Sequence, residues 1–276
     1  MIVRKSLPVK SWVTPSKLPG VDYVINPYVG CPHQCLYCYA EFMKRFSNHT
    51  EDWGDFLDVK LCNTPLPVKR LAGKKIVISS VTDPYNAFEK QYGVTRSLLK
   101  QLQGCAAHIT LITKSDLILR DIDLIASLPH AEVAVSINAL DETFRRRFEP
   151  RAPSATRRLE ALRQLHKAGI RTVLFMSPIF PGITDFCEII SASKAFTDTY
   201  WFENLNLDNS AGNRVARAIG QHYPELVPLY RAIYREGNRT YWDSLIAEIA
   251  RFCQAQNIAY RNCFHPGRGV SSLRAR

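Results

Sequence analysis

The stretch Asn26-Pro27-Tyr28-Val29-Gly30-Cys31-Pro32-His33-Gln34-Cys35-Leu36-Tyr37-Cys38-Tyr39-Ala40 decides the fold of this chain. Its three cysteines, Cys31, Cys35 and Cys38, are 4 and 3 residues apart, so three thiolates can surround one compact metal centre. The sequence has no fourth cysteine within twenty residues on either side. Thiolates normally hold all four irons of a [4Fe–4S] cubane. Three ligands leave one iron open, which predicts a cluster that binds a further, non-protein ligand.

Three other interpretations of the cysteines compete with this one. A structural zinc site usually completes its tetrahedron with a fourth Cys or His, and His33 could serve only by folding back over a very short loop. A disulfide would leave one thiol over and suits a secreted chain. Inert core cysteines do not fit a segment in which Gly30 and Pro32 indicate a loop. The iron–sulfur interpretation is favoured, and zinc stays the alternative.

The three-cysteine motif, with an aromatic residue before the last cysteine, resembles the cluster loop of radical S-adenosylmethionine (SAM) enzymes. The flanking Asn-Pro-Tyr-x-Gly-Cys and Cys-Tyr-Ala resemble one branch, the spore photoproduct lyase-like or "DNA repair photolyase" group. Further matching segments follow in the same order, and the resemblance covers about residues 22 to 205. These segments are 79–85, 113–115, 119–121, 135–137, 149–154 and 178–183. The resemblance implies a [4Fe–4S] cluster, SAM as cofactor, and a lyase or transferase reaction driven by a SAM-derived radical.

Six β-rich runs alternate with amphipathic runs, which predicts a parallel sheet with crossover helices. In helix 154–168, Ser154 suits the N-cap, Leu159, Leu162 and Leu165 form one apolar stripe, and Gly169 suits the C-terminal cap. The strands are predicted at 21–25, 75–80, 108–113, 132–137, 171–177 and 199–205. The other helices are predicted at 39–46, 95–102, 120–127, 185–195 and 241–256.

These six units agree with the α/β fold that the resemblance implies, a partial (β/α)6 TIM-like barrel of the radical SAM type with a C-terminal helical extension. The predicted organisation is a basic N-terminal segment over 1–20, the core barrel over 21–212, and the helical extension over 213–276. At 276 residues the chain is long enough for one such barrel. Active sites of parallel barrels lie at the C-terminal ends of the strands, and the cysteine loop follows the first predicted strand.

Several residues near these strand ends are candidates for binding SAM. Tyr37 stands where family members contact adenine, although packing of the loop is the alternative. Thr82 and Asp83 offer a hydroxyl and a carboxylate for the methionine ammonium, or Asp83 is a turn residue before a proline. Lys114 could pair with the methionine carboxylate, and Ser136 could bond the ribose or the carboxylate.

Other residues are candidates for the substrate side or for catalysis. Arg151 could bind the SAM carboxylate or ribose, or form a structural pair with Glu149 around Pro150. Tyr39 could point toward the substrate or hydrogen-bond near the sulfonium, with core packing as the alternative. Glu203 and Asn206, near the end of the sixth strand, could face the substrate.

The remaining cysteines form no second cluster motif and are predicted to be mostly buried small hydrophobes. They are Cys62, Cys105, Cys187, Cys253 and Cys263. Cys263 lies in a polar turn and could donate a hydrogen atom or bind a soft substrate atom. Spore photoproduct lyase uses a donor cysteine just after the second strand, where this chain has Ser79 or Ser80. That departure argues against repair of the spore thymine lesion.

Charge and hydropathy set expectations about partners and location. The net charge of +11 makes nucleic acid a possible substrate or partner. Residues 141–171 alone carry nine Lys/Arg against four acids, and the tail 261–276 carries four arginines and no acid. No apolar run approaches the ~20 residues that span a bilayer, and no signal peptide is evident at the start. We therefore expect a cytoplasmic protein without membrane contact, favoured as a monomer and reduced by a flavodoxin- or ferredoxin-type donor.

Three functions remain open from the sequence. The first is a radical SAM enzyme that acts on nucleic acid or a nucleotide. The second is a biosynthetic radical SAM enzyme that acts on a small metabolite or peptide, through an adenosyl or a 3-amino-3-carboxypropyl radical. The third is a non-catalytic iron–sulfur or zinc protein that binds nucleic acid.

Overall fold

The computed structural model describes residues 2–207 and 211–265, and its main element is a largely parallel sheet of eight strands. The strands in these residues are β1 (Val3–Pro8), β2 (Val13–Pro15), β3 (Tyr23–Ile25), β4 (Tyr28–Val29), β5 (Phe56–Leu61), β6 (Lys75–Ile78), β7 (His108–Thr113), β8 (Ala131–Ser136), β9 (Arg171–Ile179), β10 (Thr199–Asn204) and β11 (Tyr260–Asn262). The order in the large sheet is β11-β10-β9-β8-β7-β6-β3-β2. Neighbouring strands from β3 and β6 through to β10 are parallel, and this confirms the predicted α/β class.

The two outer strands of the large sheet differ from its centre. At one edge β2 pairs antiparallel with β3, and at the other edge β11 pairs parallel with β10. Among the described residues no pairing joins β11 to β2. The sheet is therefore open, in agreement with a partial barrel.

Helices follow most of the central strands and cover the outside of the sheet. The α-helices are α1 (Val68–Leu71), α2 (Glu89–Tyr92), α3 (Val94–Gln101), α4 (Ile122–Ala126), α5 (Glu142–Phe148), α6 (Ala155–Lys167), α7 (Phe186–Ser193), α8 (Gly212–His222), α9 (Val227–Tyr234) and α10 (Thr240–Ala255). The 3-10 helices of the described ranges span Tyr39–Phe46, Asp116–Asp121, Lys194–Phe196 and Pro224–Leu226. The caps of α6 are as predicted: the Ser154 hydroxyl accepts from the Arg157 N–H at 3.3 Å, and Gly169 has φ +75°.

A second, three-stranded sheet supports the cysteine loop, and the sequence did not predict it. Its order is β1-β5-β4, with β1 parallel to β5 and β4 antiparallel to β5. Because β4 ends at Val29, this sheet fixes the chain immediately before the first cysteine. A small buried cluster lies beneath the loop and consists of Val29, Ala40, Trp53 and Phe56. The segment 1–20, predicted only as basic, thus contributes β1 and β2.

The C-terminal part of the described chain contains α8, α9 and α10 and then returns to the sheet. Trp242, Leu245 and Ile249 form the buried face of α10. The sequence predicted helices here but not β11, which brings the following turn beside the end of β10. The division of the chain at residues 20 and 212 stays a prediction. Three of the four tail arginines, Arg268, Arg274 and Arg276, lie outside the described residues.

Candidate active site

One cavity collects most of the predicted site residues. It has a volume of about 1480 Å³ and lies within the curve of the large sheet. The parallel register aligns Ile78 with Leu111 and Thr113 with Val135, so the loops that follow β6, β7 and β8 meet at one edge. The predicted site residues on the wall are Cys31, Cys35, Tyr37, Cys38, Tyr39, Thr82, Asp83, Lys114, Ser136, Glu203, Asn206 and Cys263.

The cysteine loop has a conformation that depends on two glycines. Gly30 has φ +88°, and a Cβ at this position would stand 2.4 Å from the backbone oxygen of Phe56. Gln34, inside the loop, has φ +56°, and a Cβ on Gly54 would stand 2.6 Å from the Gln34 side chain. The carbonyl of Gly30 accepts a hydrogen bond from the Thr82 hydroxyl at 2.6 Å. Glycine is therefore required where the loop meets β5, because any side chain would collide with backbone.

Burial makes each of the three thiols difficult to ionise. Burial raises the pKa of Cys35 to about 12, and the negative charge of Glu149 adds to this. Burial also raises the pKa of Cys31 and of Cys38, and nearby Cys35 and Cys38 raise that of Cys31 further. In such a buried site the thiolate form would need a bound cation, which an iron–sulfur cluster would supply. The indole N–H of Trp53 donates to the Cys38 sulfur at 3.3 Å, which is the kind of hydrogen bond that tunes a cluster.

The proposed fourth zinc ligand, His33, is directed to a carboxylate. Its Nδ1 lies 3.4 Å from Oδ2 of Asp83, and burial lowers the pKa of the imidazole. In the described part of the chain no three Cys, His, Asp or Glu side chains, the loop cysteines included, are grouped closely enough to hold a single metal ion. The three thiols nevertheless share one loop and line one cavity.

Asp83 joins three parts of the site. Its Oδ1 accepts from the Tyr85 N–H at 2.8 Å and from the Thr113 hydroxyl at 2.7 Å, and its Oδ2 accepts from the Lys114 N–H at 2.8 Å. With His33 on the cysteine loop, these bonds connect that loop to the ends of β6 and β7. The Asp83 carboxylate is thus engaged within the protein, as is the Thr82 hydroxyl, and both hold the wall of the cavity.

Tyr37 forms the cavity wall beside the cluster cysteines, and its hydroxyl belongs to a buried network. It donates to Glu149 Oε1 and accepts from the Asn138 amide at 2.6 Å. Arg158 donates to the other oxygen of Glu149. Although burial raises the pKa of Glu149, the charges of Arg158 and Lys114 outweigh it and lower that pKa. The network keeps a charged carboxylate in the interior and fixes the ring of Tyr37.

Two further polar residues line the cavity at the ends of β6 and β7. Lys114, after β7, places its ammonium 5.6 Å from the centre of the Tyr37 ring. Ser79, after β6, is buried with φ +71°, and its hydroxyl has no hydrogen-bond partner in the described structure. A strained non-glycine residue with a spare buried hydroxyl is typical of a binding site. Ser136, which ends β8, is buried beside them.

Asn26 explains how the Ser79 loop keeps its shape, and sequence reasoning missed it. Its side-chain oxygen accepts from the N–H groups of Ser80 at 2.9 Å and of Val81 at 3.2 Å. Its amide donates to the Ser80 hydroxyl at 3.3 Å. An Asn before a Pro, directly ahead of a cysteine loop, is the only signal in the sequence for this role.

Arg151 and Tyr39 occupy different positions from those of the SAM-binding candidates above. Arg151 is outside the residues that line the cavity; it donates to the Gly54 carbonyl at 3.0 Å and to Asp55 Oδ1 at 2.9 Å. The suggested Glu149–Arg151 pair does not form, because Arg158 reaches Glu149 from α6 while Arg151 extends to the loop before β5. Tyr39 lines the cavity mouth, and its hydroxyl donates to the Ser80 carbonyl.

The far wall of the cavity is formed by the ends of β9, β10 and β11. Glu203 accepts from the Ser177 hydroxyl and lies 2.8 Å from Nε2 of His265. The pKa of His265 is raised, chiefly by its hydrogen bond to Glu203. Cys263 lines the cavity near them, where burial raises the pKa of its thiol. Glu203 and Cys263 were candidates in the sequence analysis, whereas His265 was not.

A comparison with known families identifies the family to which the chain belongs. The profile described as "Radical SAM superfamily" matches residues 25–191, more than half of the chain. This chain belongs to the radical SAM superfamily. It is an enzyme of the radical SAM type, so the non-catalytic alternative is wrong. Membership implies a [4Fe–4S] cluster and SAM.

The curated relatives of this radical SAM enzyme include archaeal, viral and bacterial proteins. An uncharacterized protein of Methanocaldococcus jannaschii is 38% identical over 258 residues, covering 93% of this chain and 95% of the relative. An uncharacterized protein of Acidianus two-tailed virus is 30% identical over 194 residues, covering 61% and 63%. An uncharacterized protein of Mycobacterium tuberculosis is 26% identical over 238 residues, covering 78% and 68%.

Solved structures agree on the fold. Spore photoproduct lyase with a dinucleoside spore photoproduct is 19% identical with a TM-score of 0.54, over 77% of this radical SAM chain and 63% of the lyase. Streptococcus suis SuiB bound to S-adenosylmethionine is 13% identical with a TM-score of 0.57, over 89% and 50%. The enzyme thus spans about half to two thirds of the length of these solved chains. In its described residues, no helix is both long and apolar enough to span a bilayer.

Proposed function

We propose that this enzyme binds SAM at a [4Fe–4S] cluster held by Cys31, Cys35 and Cys38, and directs the resulting radical to a nucleic acid or nucleotide. One observation carries the proposal. The three thiols line the same cavity as Lys114, Ser136 and the unpartnered hydroxyl of Ser79, at the C-terminal ends of parallel strands. When bound, the cluster supplies an open iron for SAM and the electron that breaks a C–S bond.

The chain's own residues would position the two ends of SAM. Lys114 is suited to the methionine carboxylate, since its ammonium faces the cavity above Tyr37. The hydroxyls of Ser79 and Ser136 are suited to polar groups of the methionine or ribose, and the ring of Tyr37 to the adenine edge. Asp83 and Thr82, which are engaged within the protein, would act by holding these groups in place rather than by binding SAM.

The buried network behind the cavity would exclude water and prevent movement of the wall. Glu149 is held by Arg158, Tyr37 and Asn138, and Arg158 also donates to the Ser136 carbonyl at 3.1 Å. Exclusion of water from this wall would protect a reactive species formed beside it.

A nucleic-acid substrate is supported by the charge of the chain and by family analogy. The net charge is +11, and spore photoproduct lyase has been solved with a dinucleoside. A peptide or small metabolite is the second candidate, because SuiB has been solved with a precursor peptide and this chain has Ser79 and Ser80 in place of a donor cysteine. A flavodoxin- or ferredoxin-type protein in the cytoplasm would supply the electron, and the monomer would be the active form.

Anaerobic reconstitution tests the proposal. The wild-type protein should bind about four iron and four sulfide per chain. With SAM and dithionite it should release 5′-deoxyadenosine or methylthioadenosine. Cys31→Ala, Cys35→Ala and Cys38→Ala should each abolish both cluster and cleavage. Cys62→Ala is the matched control, because its thiol lies outside the cavity lining and contacts the Thr64 carbonyl. Zinc without iron in oxygen-free protein would refute the cluster.

A further inference from the structure

The 3-10 helix Tyr39–Phe46, directly after the last cluster cysteine, presents a row of rings to solvent. Side chains three residues apart eclipse one another in a 3-10 helix. Ala40 and Met43 therefore share one face, which packs into the small apolar cluster beneath the cysteine loop. Tyr39, Phe42 and Arg45 share a different face, and it has no such packing. By the same spacing Phe46 follows Met43, but its ring is exposed and lies against the Arg45 guanidinium. We call Tyr39, Phe42, Arg45 and Phe46 the aromatic row.

The aromatic row is unusually exposed for its composition. Tyr39 is 52% exposed, Phe42 42% and Phe46 68%. These are three of the five exposed large aromatic side chains in the described residues; the other two are Tyr92 and Tyr260. Such a concentration of apolar surface on one short helix marks an interaction site rather than scattered surface rings.

Charge and position add to the surface. The Arg45 guanidinium lies 4.6 Å from the centre of the Phe46 ring and 5.5 Å from that of Phe42. Tyr39, at the start of the row, lines the mouth of the cavity. The aromatic row thus begins at the cavity and extends away from it, with the Arg45 guanidinium in contact with the rings of Phe42 and Phe46.

We propose that the aromatic row is a stacking platform for unpaired bases of a single-stranded nucleic acid, which it guides into the cavity. The inference rests on the proposed function and narrows its substrate class. Every base presents a π-face, so exposed rings stack bases without sequence preference, while Arg45 meets the backbone phosphates. Bases inside a duplex are already stacked and cannot lie on these rings. An acidic electron carrier is disfavoured as the partner of the aromatic row, because the row begins at the cavity in which the substrate would react.

The test is fluorescence anisotropy of the full-length chain, with a labelled mixed-sequence DNA strand of about 12 nucleotides, alone or annealed to its complement. The single strand should bind more tightly than the duplex. Phe42→Ser with Phe46→Ser should weaken single-strand binding by about 30-fold or more, since two stacking contacts are lost. Phe42→Tyr with Phe46→Tyr should retain it. Arg45→Gln should reduce the slope of log affinity against log salt by about 0.7, which corresponds to one phosphate.

Controls make each outcome decisive. Tyr92→Ser removes an exposed ring on α2 and should leave binding unchanged. Phe46→Ser alone, at the most exposed ring, provides a second measurement if the double variant is misfolded by circular dichroism. Three outcomes would overturn the platform. The single strand and the duplex could bind equally well, or Tyr92→Ser could weaken single-strand binding as much as the double variant does. The ring substitutions could also slow only the reduction of the cluster by a flavodoxin-type protein and leave DNA binding unchanged. If SAM is cleaved but the rings do not matter, only this inference fails. If ring-dependent binding occurs without SAM cleavage, the proposed function fails instead.

Discussion

The two walls of the cavity are built differently. The cluster wall, formed by the cysteine loop and the ends of β6, β7 and β8, is buried and tied together by Asp83, Glu149 and Asn26. The far wall, formed by the ends of β9, β10 and β11, holds Glu203, Cys263 and His265 with fewer bonds and more exposure. A wall that carries a cofactor common to a superfamily must keep one geometry, whereas a wall that faces a particular substrate is free to change. Substitutions on the cluster wall should therefore lower the free energy of unfolding more than substitutions on the far wall.

The largest effect should come from the buried charge pair behind the cluster wall. Arg158 is 2% exposed and Glu149 3%, and each meets other buried polar groups. Arg158→Met would leave the Glu149 carboxylate uncompensated, so we expect a loss of about 3–5 kcal/mol in the free energy of unfolding. Urea denaturation of the apoprotein under anaerobic conditions measures it.

The neighbouring arginine provides the matched control. Arg157 pairs with Asp116 through a side chain that is 63% exposed. Arg157→Met should cost about 0–1 kcal/mol, because water screens and solvates both partners. Equal losses at positions 157 and 158 would mean that burial of the pair does not distinguish the cluster wall.

The next effect should appear at the glycine that opens the cysteine loop. Gly30→Ala combines a positive φ with a Cβ that would stand 2.4 Å from the Phe56 carbonyl oxygen. We expect a loss of about 2–4 kcal/mol in unfolding free energy, from backbone strain and overpacking together. Iron content after reconstitution should fall in parallel, because the loop moves.

Gly73 is the control that distinguishes the cost of backbone strain from the cost of a steric clash. It also has a positive φ, +71°, but a Cβ there would have nothing within 4 Å. Gly73→Ala should cost only about 1–2 kcal/mol and leave iron content unchanged. A Gly30→Ala protein that is as stable as Gly73→Ala, with full iron, would show that the contact with β5 does not constrain the loop.

Local patterns in the sequence predicted the cluster wall well. The cysteine spacing, the alternating strands and the Ser154 cap are short-range signals, and the six central strands lie where the patterns placed them. The second sheet was missed because β1 pairs with β5 about fifty residues away, and its exposed residues Arg4 and Lys5 carry no apolar alternation. β11 was missed for a similar reason, since all three of its residues are exposed.

Partnerships between distant side chains were the least predictable feature of the site. Arg158 occupies the buried face of α6 together with Ala155, Leu162 and Leu165, where the pattern predicted only apolar residues. Its burial follows from the position of Glu149 at the end of α5, which no local signal reveals. Asp83 lines the cavity with the other candidates, but its three donors come from elements that meet only in the folded sheet.

The smallest effect should be found on the far wall, and it depends on pH. The pKa of His265 is raised from its ordinary value of 6.5, chiefly by the hydrogen bond to Glu203. The folded protein therefore binds more protons than the unfolded chain at pH values between the ordinary and the raised pKa. The pair's stabilisation should be complete below about pH 6.5 and lost as the pH rises through the raised pKa. The His265 side chain is 55% exposed, so the contribution should stay under about 1 kcal/mol. The difference in unfolding free energy between wild type and His265→Gln should therefore shrink from about pH 6 to about pH 9.

Glu203→Gln, which keeps an acceptor but removes the charge, should abolish the same pH dependence, with Arg261 and Cys263 unchanged in both proteins. A difference that is constant across this range, or larger than that of Arg158→Met, would contradict the contrast between the two walls.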